Sequence, residues 1–482
     1  MLMDIPATTY ILGTKGHGGY YACRRCNTRG ESVTLAGRVN KKGNACKSVY
    51  YPEMNASERT SDDFKQHYDL VGSDPHVPSW DADLGKKTDA DNSDNSMSDD
   101  DPDDPIERRG AEDDESFWEH HRHPTILTKL KKFDLVKNIP YEYMHAVCSG
   151  IVRMMLMVWI TTAVFLKDKA MVSSRLKLAN TFCPVEFQRW PDVIEKVRRW
   201  KASQFRVFVL YTGVFVLKGI LTKRCFQHFC SLVVALRLMC RHVPRTEERK
   251  TTLEKIGEIV RPILRHFMTN GMLIYRKNFA TLNVHAFCCH AVDDYVRFGS
   301  LDEFSVFRFE SFLGWLKSLV LTARYPVRQI INLYSTFLLT GTMRKADTAP
   351  MEFMQEYFEY PELNVISTHG DYELISQIRY RSLTLRSDNH RDCHFYIDGS
   401  FVRLSKIVRQ ISSDHILLCG EKYQRVTPVF DSPMNSIDLG LAICSELSTK
   451  TESWSLESLR EKCFAFPLST DASEWAMARY LH

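Results

Sequence analysis

Two pairs of residues in the sequence have types and spacings that suit a metal ion. Cys23 and Cys26 stand in C-x2-C spacing in "HGGYYACRRC", and His285 and His290 stand in H-x4-H spacing in "NVHAFCCHAV". A tetrahedral zinc site needs four nitrogen or sulfur ligands, and each pair can supply two. The alternative for the cysteines is a turn with two half-buried thiols. Because positions five apart are about 140° around an ideal helix, a distortion or a helix end must bring the two histidines together.

The elements that must position these pairs are mainly helices. The chain opens with a predicted strand over residues 1–12 and a glycine-rich turn. Residues 31–79 give little periodic signal. Further along, apolar residues recur at three- and four-residue spacing and predict helices. The predicted helices cover residues 143–167, 184–221 with a break near Gly213, 222–241, 249–269, 282–297 and 304–320, and Pro326 opens one more.

Beyond about residue 385 the pattern changes to strands. An Asp-Gly turn separates alternating apolar runs in "HFYIDGSFVRL", which predicts a hairpin. The segment "HILLCGEKYQRVTPVF" predicts a second hairpin-like pair. A small β module is therefore expected to close the chain.

Charge is distributed unevenly along the chain. Residues 89–115 hold thirteen acids and two arginines, a local charge of −11, so the rest of the chain carries +15 to reach the total of +4. An acidic run rich in serine, asparagine and proline buries too little apolar surface to offset its chain entropy, so we predict a disordered surface loop. The basic remainder suits a polyanion such as DNA.

Two classes of protein fit the composition poorly. Fourteen cysteines form no even framework, which favours a reducing compartment over a secreted disulfide scaffold. The run "VCSGIVRMMLMVWITTAVFL" at residues 147–166 approaches membrane length, but Arg153 lies inside it. We interpret this run as a buried core helix and expect no membrane partner.

Four blocks of the sequence, in this order, resemble transposases of CACTA-like (EnSpm) DNA transposons. The resemblance runs from residue 1 to about residue 345, with a looser match in the β tail. The blocks are "MDIPATTYILGTKGHGGYYACRRCNTRGE", "FDLVKNIPYEYMHAVCSGIVRMMLMVW", "RRWKASQFRVFVLYTGVFVLKGIL" and "NVHAFCCHAVDDYVRFGSLDEFSVFRFESFLGWLKSLV".

The resemblance implies an RNase H-like fold in which two aspartates and a glutamate bind divalent metal. Asp4 matches the second aspartate and Glu310 the glutamate, so Mg2+ or Mn2+ is the implied ion. The cysteine and histidine pairs are implied to bind one structural zinc. Many such transposases carry a histidine three positions after an aspartate or cysteine. His145 matches this histidine, and Glu142 stands in place of the aspartate. On the predicted helix, Glu310 and Lys317 lie opposite an apolar stripe of Phe309, Phe312, Leu316 and Leu319.

The family's first aspartate has no counterpart in this sequence. The acids of residues 27–80, including Glu31, lie in what reads as loop sequence. With two of three carboxylates, we expect an N-terminally truncated or decayed transposase that is catalytically inactive alone, unless another polypeptide completes its catalytic fold.

The alternative function is non-catalytic DNA or chromatin binding. "FQRWPDVIEKVRRWK" places basic residues beside Trp190 and Trp200, a combination that can bind phosphate and stack on an unpaired base. A helix with an exposed basic face and two core tryptophans is an equally plausible interpretation. The resemblance implies a nuclear protein, with a homo-oligomer as a possible state and no small-molecule substrate. The basic residues are Arg189, Arg198, Arg199 and Lys201, with Lys317 on the later helix.

The predicted fold class is α+β, mainly helical, with a partial RNase H-like fold, a large helical insertion and a small C-terminal β module. The expected regions are 1–79 (partial RNase H-like, with the C-x2-C pair), 80–120 (acidic loop), 121–280 (helical insertion), 281–345 (histidine pair and catalytic-type helix), 346–385 (connector) and 386–482 (β module).

Overall fold

The computed structural model describes residues 2–39, 43–64, 125–162, 164–340, 358–469 and 471–481. The predicted acidic loop at 80–120 lies outside these ranges. The chain forms two compact units, one of residues 1–141 and 268–294, the other of residues 142–267 and 295–482. Helices and a large antiparallel sheet are both present, so the α+β class is confirmed.

The first unit begins with a helix, α1 (Ile5–Leu12), so the prediction of a strand over residues 1–12 is wrong. Asp4 caps this helix, because its Oδ1 accepts a hydrogen bond of 2.7 Å from the Ala7 amide. Pro6 lies in the first turn, and Gly13 ends the helix with a φ of 65°. These three local signals outweigh the apolar composition that suggested a strand.

A two-stranded hairpin follows in the region that gave little periodic signal. Its strands are β1 (Glu31–Val39) and β2 (Ala45–Tyr50), paired antiparallel. Glu31 therefore begins a strand, contrary to the loop expected there, and its carboxylate accepts a hydrogen bond from the Tyr50 hydroxyl. Tyr51, just after β2, bonds its amide to the Ala280 carbonyl at 2.7 Å.

The second unit contains most of the helices. A π-helical segment, Met144–Val152, leads directly into α2. The unit boundaries at residues 267 and 294 fall within α7 and α8. The described helices are α2 (Arg153–Thr161), α3 (Lys169–Thr181), α4 (Ala202–Val207), α5 (Gly213–Leu217), α6 (Lys223–Cys240), α7 (Arg249–Tyr275), α8 (Leu282–Phe298), α9 (Phe307–Ser318) and α10 (Pro326–Thr340).

The segment 184–221 is more broken than predicted. Residues 184–193 are not helical, and a 3-10 turn, Ile194–Arg199, precedes α4. Gly213 does not interrupt the helical backbone, because α5 starts at this residue directly after the π-helical turn Phe208–Thr212. A Cβ at this position would lie 2.7 Å from the Phe208 carbonyl oxygen and 2.9 Å from the Phe229 ring. The glycine thus permits close packing of two elements.

One described helix, Met144–Thr161, is long and apolar enough to cross a membrane by length and composition. Half of this helix is buried inside the protein. Met155, Leu156 and Trp159 are almost fully buried, and the Trp159 ring meets Phe229 edge to face at 5.6 Å. These contacts are those of a core helix.

Ten antiparallel strands form the sheet of the second unit, in the order β10-β8-β9-β12-β11-β6-β7-β4-β3, with β5 beside β4. Because β8 also pairs with β7, six of these strands close into a ring. They are β3 (Phe358–His369), β4 (Tyr372–Arg381), β5 (Leu383–Arg386), β6 (His394–Ile397), β7 (Ser400–Gln410), β8 (His415–Pro428), β9 (Leu441–Leu447), β10 (Glu452–Ser455), β11 (Leu459–Pro467) and β12 (Glu474–Arg479).

Two of the strand predictions need correction. The β region begins at Phe358, so much of the expected connector at 346–385 is strand. The second predicted hairpin is the single long strand β8. Its Gly420 is no turn residue. It faces β7 so closely that a Cβ would lie 2.2 Å from the Arg403 carbonyl oxygen.

The hairpin predicted around Asp398 and Gly399 is present between β6 and β7. Both turn residues have positive φ, 46° and 78°. This is the backbone that a two-residue Asp-Gly loop favours.

A buried ion cluster joins the chain before α4 to the sheet. The Lys462 ammonium on β11 is fully buried and lies 2.6 Å from Asp392 Oδ1 and 2.8 Å from both oxygens of Glu186. It also donates to the Thr384 carbonyl at 2.7 Å. Four acceptor oxygens therefore replace water around this charge.

Candidate metal centre

Cys23, Cys26, His285 and His290 converge in the first unit. Cys23 Sγ lies 3.4 Å from His290 Nε2, and Cys26 Sγ lies 3.3 Å from His285 Nε2. The two sulfur atoms are 3.5 Å apart. All four residues are buried, and their ligand atoms lie within 4.8 Å of one another. The cluster can therefore hold a metal ion.

The spacing of these atoms suits zinc. With Zn–S of about 2.3 Å and Zn–N of about 2.0 Å, a tetrahedron has S–S edges of about 3.8 Å and S–N edges of about 3.5 Å. The observed separations are within a few tenths of an ångström of those edges. Two thiolates and two imidazoles also neutralise a divalent ion, as a buried site requires.

The cysteine loop is shaped by the segment at residues 57–59. Cys26 forms an isolated antiparallel bridge with Glu58. The Asn27 amide donates to the Ser57 carbonyl at 2.9 Å, and the Arg59 amide donates to the Arg25 carbonyl at 2.8 Å. These bonds hold the two thiols on the same side of the turn.

The buried Arg59 side chain stabilises the same loop. Its Nε donates to the carbonyl oxygens of Cys23 at 2.9 Å and of Cys26 at 3.1 Å. Its positive charge also lies close to both sulfur atoms and favours their thiolate forms. Arg59 was not predictable from the sequence, because nothing in its flanking residues marks a side chain that contacts a turn more than thirty positions away.

Helix α8 carries both histidines. It runs without a break from Leu282 to Phe298, so neither a distortion nor a helix end is needed to bring the two rings together. The two rings have centroids 5.4 Å apart. They meet through Nε2, the atom farthest from the backbone, so the reach of the imidazoles compensates for their angular separation on the helix. Cys289 Sγ lies 3.7 Å from the other nitrogen of His285, Nδ1.

Protonation in the cluster is strongly coupled. Burial opposes ionisation of Cys23, but the hydrogen bond from Cys26 and the nearby imidazoles outweigh it and hold the pKa of Cys23 well below its usual range. The bond to Cys23, together with burial, raises the pKa of Cys26. Burial would lower the pKa of His285, yet Cys23 and Cys289 raise it to about 10. These directions favour a thiolate at Cys23 beside a protonated imidazole, and a metal ion would take the place of the proton.

A second layer of buried charge surrounds the cluster. Asp294, one turn after His290, pairs with Arg25 at 2.9 Å and accepts a hydrogen bond from the Tyr141 amide at 2.9 Å. The Tyr141 ring stacks near His290, and the Arg24 guanidinium lies 3.8 Å from the centre of that ring. This layer orients α8 and the turn, as partners of metal ligands commonly do.

Glu310, Glu142 and His145 form a separate chain of contacts in the second unit. His145 Nε2 lies 3.2 Å from Glu310, and His145 Nδ1 lies 3.0 Å from Glu142. Burial would lower the pKa of His145, but the bonds to Glu142 and then Glu310 raise it to about 10. The hydrogen bond from His145 lowers the pKa of Glu310.

Glu142 fixes this arrangement. Its carboxylate accepts hydrogen bonds from the Met144 amide at 2.7 Å and the Val306 amide at 3.1 Å. It therefore links the backbone at the start of the π-helical segment to the residue that precedes α9. Asp4 belongs to the other unit, where its carboxylate caps α1.

The basic residues selected from the sequence are all on the surface of the second unit. Of the two tryptophans beside them, Trp190 is 44% exposed, whereas Trp200 is 6% exposed and packs against Phe205 and Phe208. The interpretation with two stacking tryptophans is therefore corrected to one. On α9, Phe309 is 55% exposed and so departs from the predicted apolar stripe. The exposed basic residues are Arg189, Arg198, Arg199, Lys201 and Lys317.

Comparison with known proteins identifies one part of the chain. Residues 362–478 match a family model described as a domain of unknown function, DUF8592. The match covers most of the region β3–β12, which is less than half of the chain. No curated protein and no solved structure matches this sequence.

Proposed function

We propose that this chain is a transposon-derived DNA-binding protein, descended from the CACTA-like transposases that its sequence resembles. The observation that carries the proposal is the cluster of Cys23, Cys26, His285 and His290, whose two pairs lie more than 250 positions apart in the sequence. The resemblance implies one zinc at these positions, and the cluster geometry supports that ligand set.

The proposed descent includes an RNase H-like catalytic fold with Asp4 and Glu310 as two of its three carboxylates. Glu310 lies in the first turn of α9 and is 54% exposed, so its carboxylate is accessible to a cation and to DNA. His145 holds one of its oxygens, which would orient the other. Mg2+ or Mn2+ bound there would stabilise charge on a phosphodiester during cleavage.

We propose that the chain does not cleave DNA alone. Three carboxylates are needed to hold two metal ions in register with a scissile phosphate. The resemblance assigns only two of them, Asp4 and Glu310. Exposed apolar side chains on α9, on α10 and on the segment between them support completion by another polypeptide, because monomers rarely expose so many large apolar side chains within one short segment. They are Phe309, Leu313, Leu321, Tyr325, Val327, Ile331 and Leu339, each at least 55% exposed.

The second candidate is DNA binding without catalysis, in the nucleus. It is favoured by the exposure of Trp190 and of four basic residues near it in the sequence: Arg189, Arg198, Arg199 and Lys201. Basic side chains bind phosphate regardless of sequence, and an exposed tryptophan can stack on an unpaired base.

One experiment distinguishes the two candidates. The full chain is incubated with labelled DNA and Mg2+ or Mn2+, and both cleavage and binding are measured. We expect salt-sensitive binding and no cleavage. Cleavage that disappears in Asp4→Ala and in Glu310→Gln would show that the chain is a complete nuclease. Absence of any DNA binding at low salt would overturn the proposed function as a whole.

The binding surface is tested by a triple variant, Arg198→Gln, Arg199→Gln and Lys201→Gln. Each phosphate contact adds about 0.9 to the slope of log affinity against log salt for duplex DNA, so we expect that slope to fall by up to about 2.7. The matched control neutralises the exposed residues Lys218, Lys223 and Arg224 elsewhere in the same unit. An equal loss in both variants would assign binding to overall charge and not to this surface.

A further inference from the structure

A pocket of about 700 Å³ opens between the end of α3 and the sheet of the second unit. One wall is the last turn of α3 with Phe182, and the others come from β3, β4 and the loop after β5. Its volume is in the range of small-molecule sites. Most of the strand and loop residues of this pocket lie in the region that matches DUF8592.

Two side-chain amides and two guanidinium groups in the lining of this pocket keep donor atoms that their hydrogen bonds to neighbouring residues do not use. Gln377 accepts from Arg386 Nε at 2.8 Å, and Asn389 accepts from the Arg391 amide at 2.9 Å through its side-chain oxygen. Each amide therefore keeps its NH2 group as a donor. Arg391 uses Nε on the Thr181 carbonyl at 2.9 Å, so the terminal nitrogens of both guanidinium groups remain available.

This set of hydrogen-bond donors favours an anionic ligand with several acceptor oxygens. Two guanidinium groups and two amide NH2 groups are the donors that bind phosphate or carboxylate, often in pairs. Asp388 is the one carboxylate in the lining, and it can accept from an amino or hydroxyl group of the ligand.

Phe182 adds an aromatic wall. Its ring is held edge to face by Trp475, with centroids 5.5 Å apart, and the ring of His390 lies 6.3 Å away at a tilt. A planar heterocycle can stack on such a fixed ring.

We propose that this pocket binds one nucleotide, with its phosphate on Arg386 and Arg391 and its base on Phe182. The proposal deepens the proposed function, because an unpaired nucleotide of a DNA strand and a free nucleotide offer the same chemistry. It is also independent of the Arg198–Lys201 surface, for which duplex binding is proposed.

Titration calorimetry of the full chain with dAMP, deoxyadenosine and inorganic phosphate tests the proposal. We expect dAMP to bind more tightly than either fragment. Arg386→Gln should weaken dAMP binding at least about tenfold, since a charge-assisted pair is lost. Phe182→Leu should weaken dAMP binding while leaving phosphate binding unchanged, which separates stacking from a general loss of structure.

Arg379→Gln is the matched control, because Arg379 lies on β4 and pairs with Glu362 outside the pocket. It should leave dAMP binding unchanged. Competition by a single-stranded oligonucleotide would identify a DNA strand as the source of the nucleotide, and lack of competition a free nucleotide. Failure of dAMP to bind, or equal losses in Arg379→Gln and Arg386→Gln, would overturn the proposal, while duplex binding remains a separate test of the proposed function.

Discussion

Cys23 Sγ and His290 Nε2 lie 3.4 Å apart although 267 positions separate the two residues in the chain. A metal ion bound between them would close a very long loop, and its binding free energy would become part of the folding free energy of the first unit. The remaining buried groups of that unit, above all Arg59 and Asp294, then act by holding the ligands in place.

Metal removal should loosen the first unit selectively. With a zinc chelator present, we expect amide hydrogen exchange to rise in residues 22–28 and 282–294, since both segments supply ligands. Exchange in β3–β12 should stay unchanged, because that region contributes none of the four ligands. Hydrogen exchange followed by mass spectrometry measures this, and a uniform rise over both units would contradict a local role for the metal.

Replacing Arg59 with methionine should lower zinc affinity without changing the number of ions bound at saturation. The change removes both hydrogen bonds to the cysteine loop, and loss of such a partner typically costs about 10–100-fold in metal affinity. Competition with a chromophoric chelator measures the affinity. Arg29→Met is the control, because Arg29 is exposed in the same loop region, and equal effects of the two changes would refute the assigned role of Arg59.

Spacing made the ligands predictable, whereas their supporting residues depend on tertiary contacts. C-x2-C and H-x4-H are local patterns, and α8 was visible as an apolar repeat. Arg59 and Asp294 gave no such signal, since their partners lie on distant segments. The strand expected at residues 1–12 shows the opposite case. Its apolar composition favours a strand, but the local cap at Asp4 and the early Pro6 specify a helix.

Lys462→Met should destabilise the second unit by about 3–5 kcal/mol, since it leaves two buried carboxylates without their cation. The acids concerned are Glu186 and Asp392. Urea unfolding of the full chain, followed by fluorescence, measures the change. Lys406→Met on the exposed face of β7 should cost less than about 0.5 kcal/mol. A small effect of Lys462→Met would mean that the carboxylates take up protons or water readily.

Acid should weaken the second unit through two buried histidines. Burial is the main cause that lowers the pKa of His394 to about 3 and that of His228 to about 4. Below the unfolded value of about 6.5, the unfolded chain binds protons that the folded chain does not, so stability falls as pH falls from 6.5 towards 4.

Denaturant titrations from pH 7 to pH 4.5 test this dependence. His394→Gln should flatten the pH profile in this window, whatever its effect on stability at pH 7. The exposed His369 provides the control, as His369→Gln should leave the slope unchanged. An unaltered slope in His394→Gln would show that His394 is accessible to protons in the folded state.

The β region was predictable in type but not in extent. Alternation and the Asp398–Gly399 turn revealed the β6–β7 hairpin, because a two-residue loop has a local signature. Gly420 suggested a turn inside β8, and only the pairing with β7 explains a glycine at that point. Similarly, Trp190 and Trp200 look alike in the sequence, and only packing separates the exposed ring from the buried one.

Zinc content of the purified full chain tests the central claim most directly. Elemental analysis should find one zinc per chain in the wild type and in Cys46→Ser, whose cysteine lies on β2 outside the cluster. Cys23→Ser and His290→Ala should each lose most of that zinc, and cobalt substitution of the wild type should give a thiolate absorption band that Cys23→Ser weakens. Equal zinc in Cys23→Ser and Cys46→Ser would contradict the account.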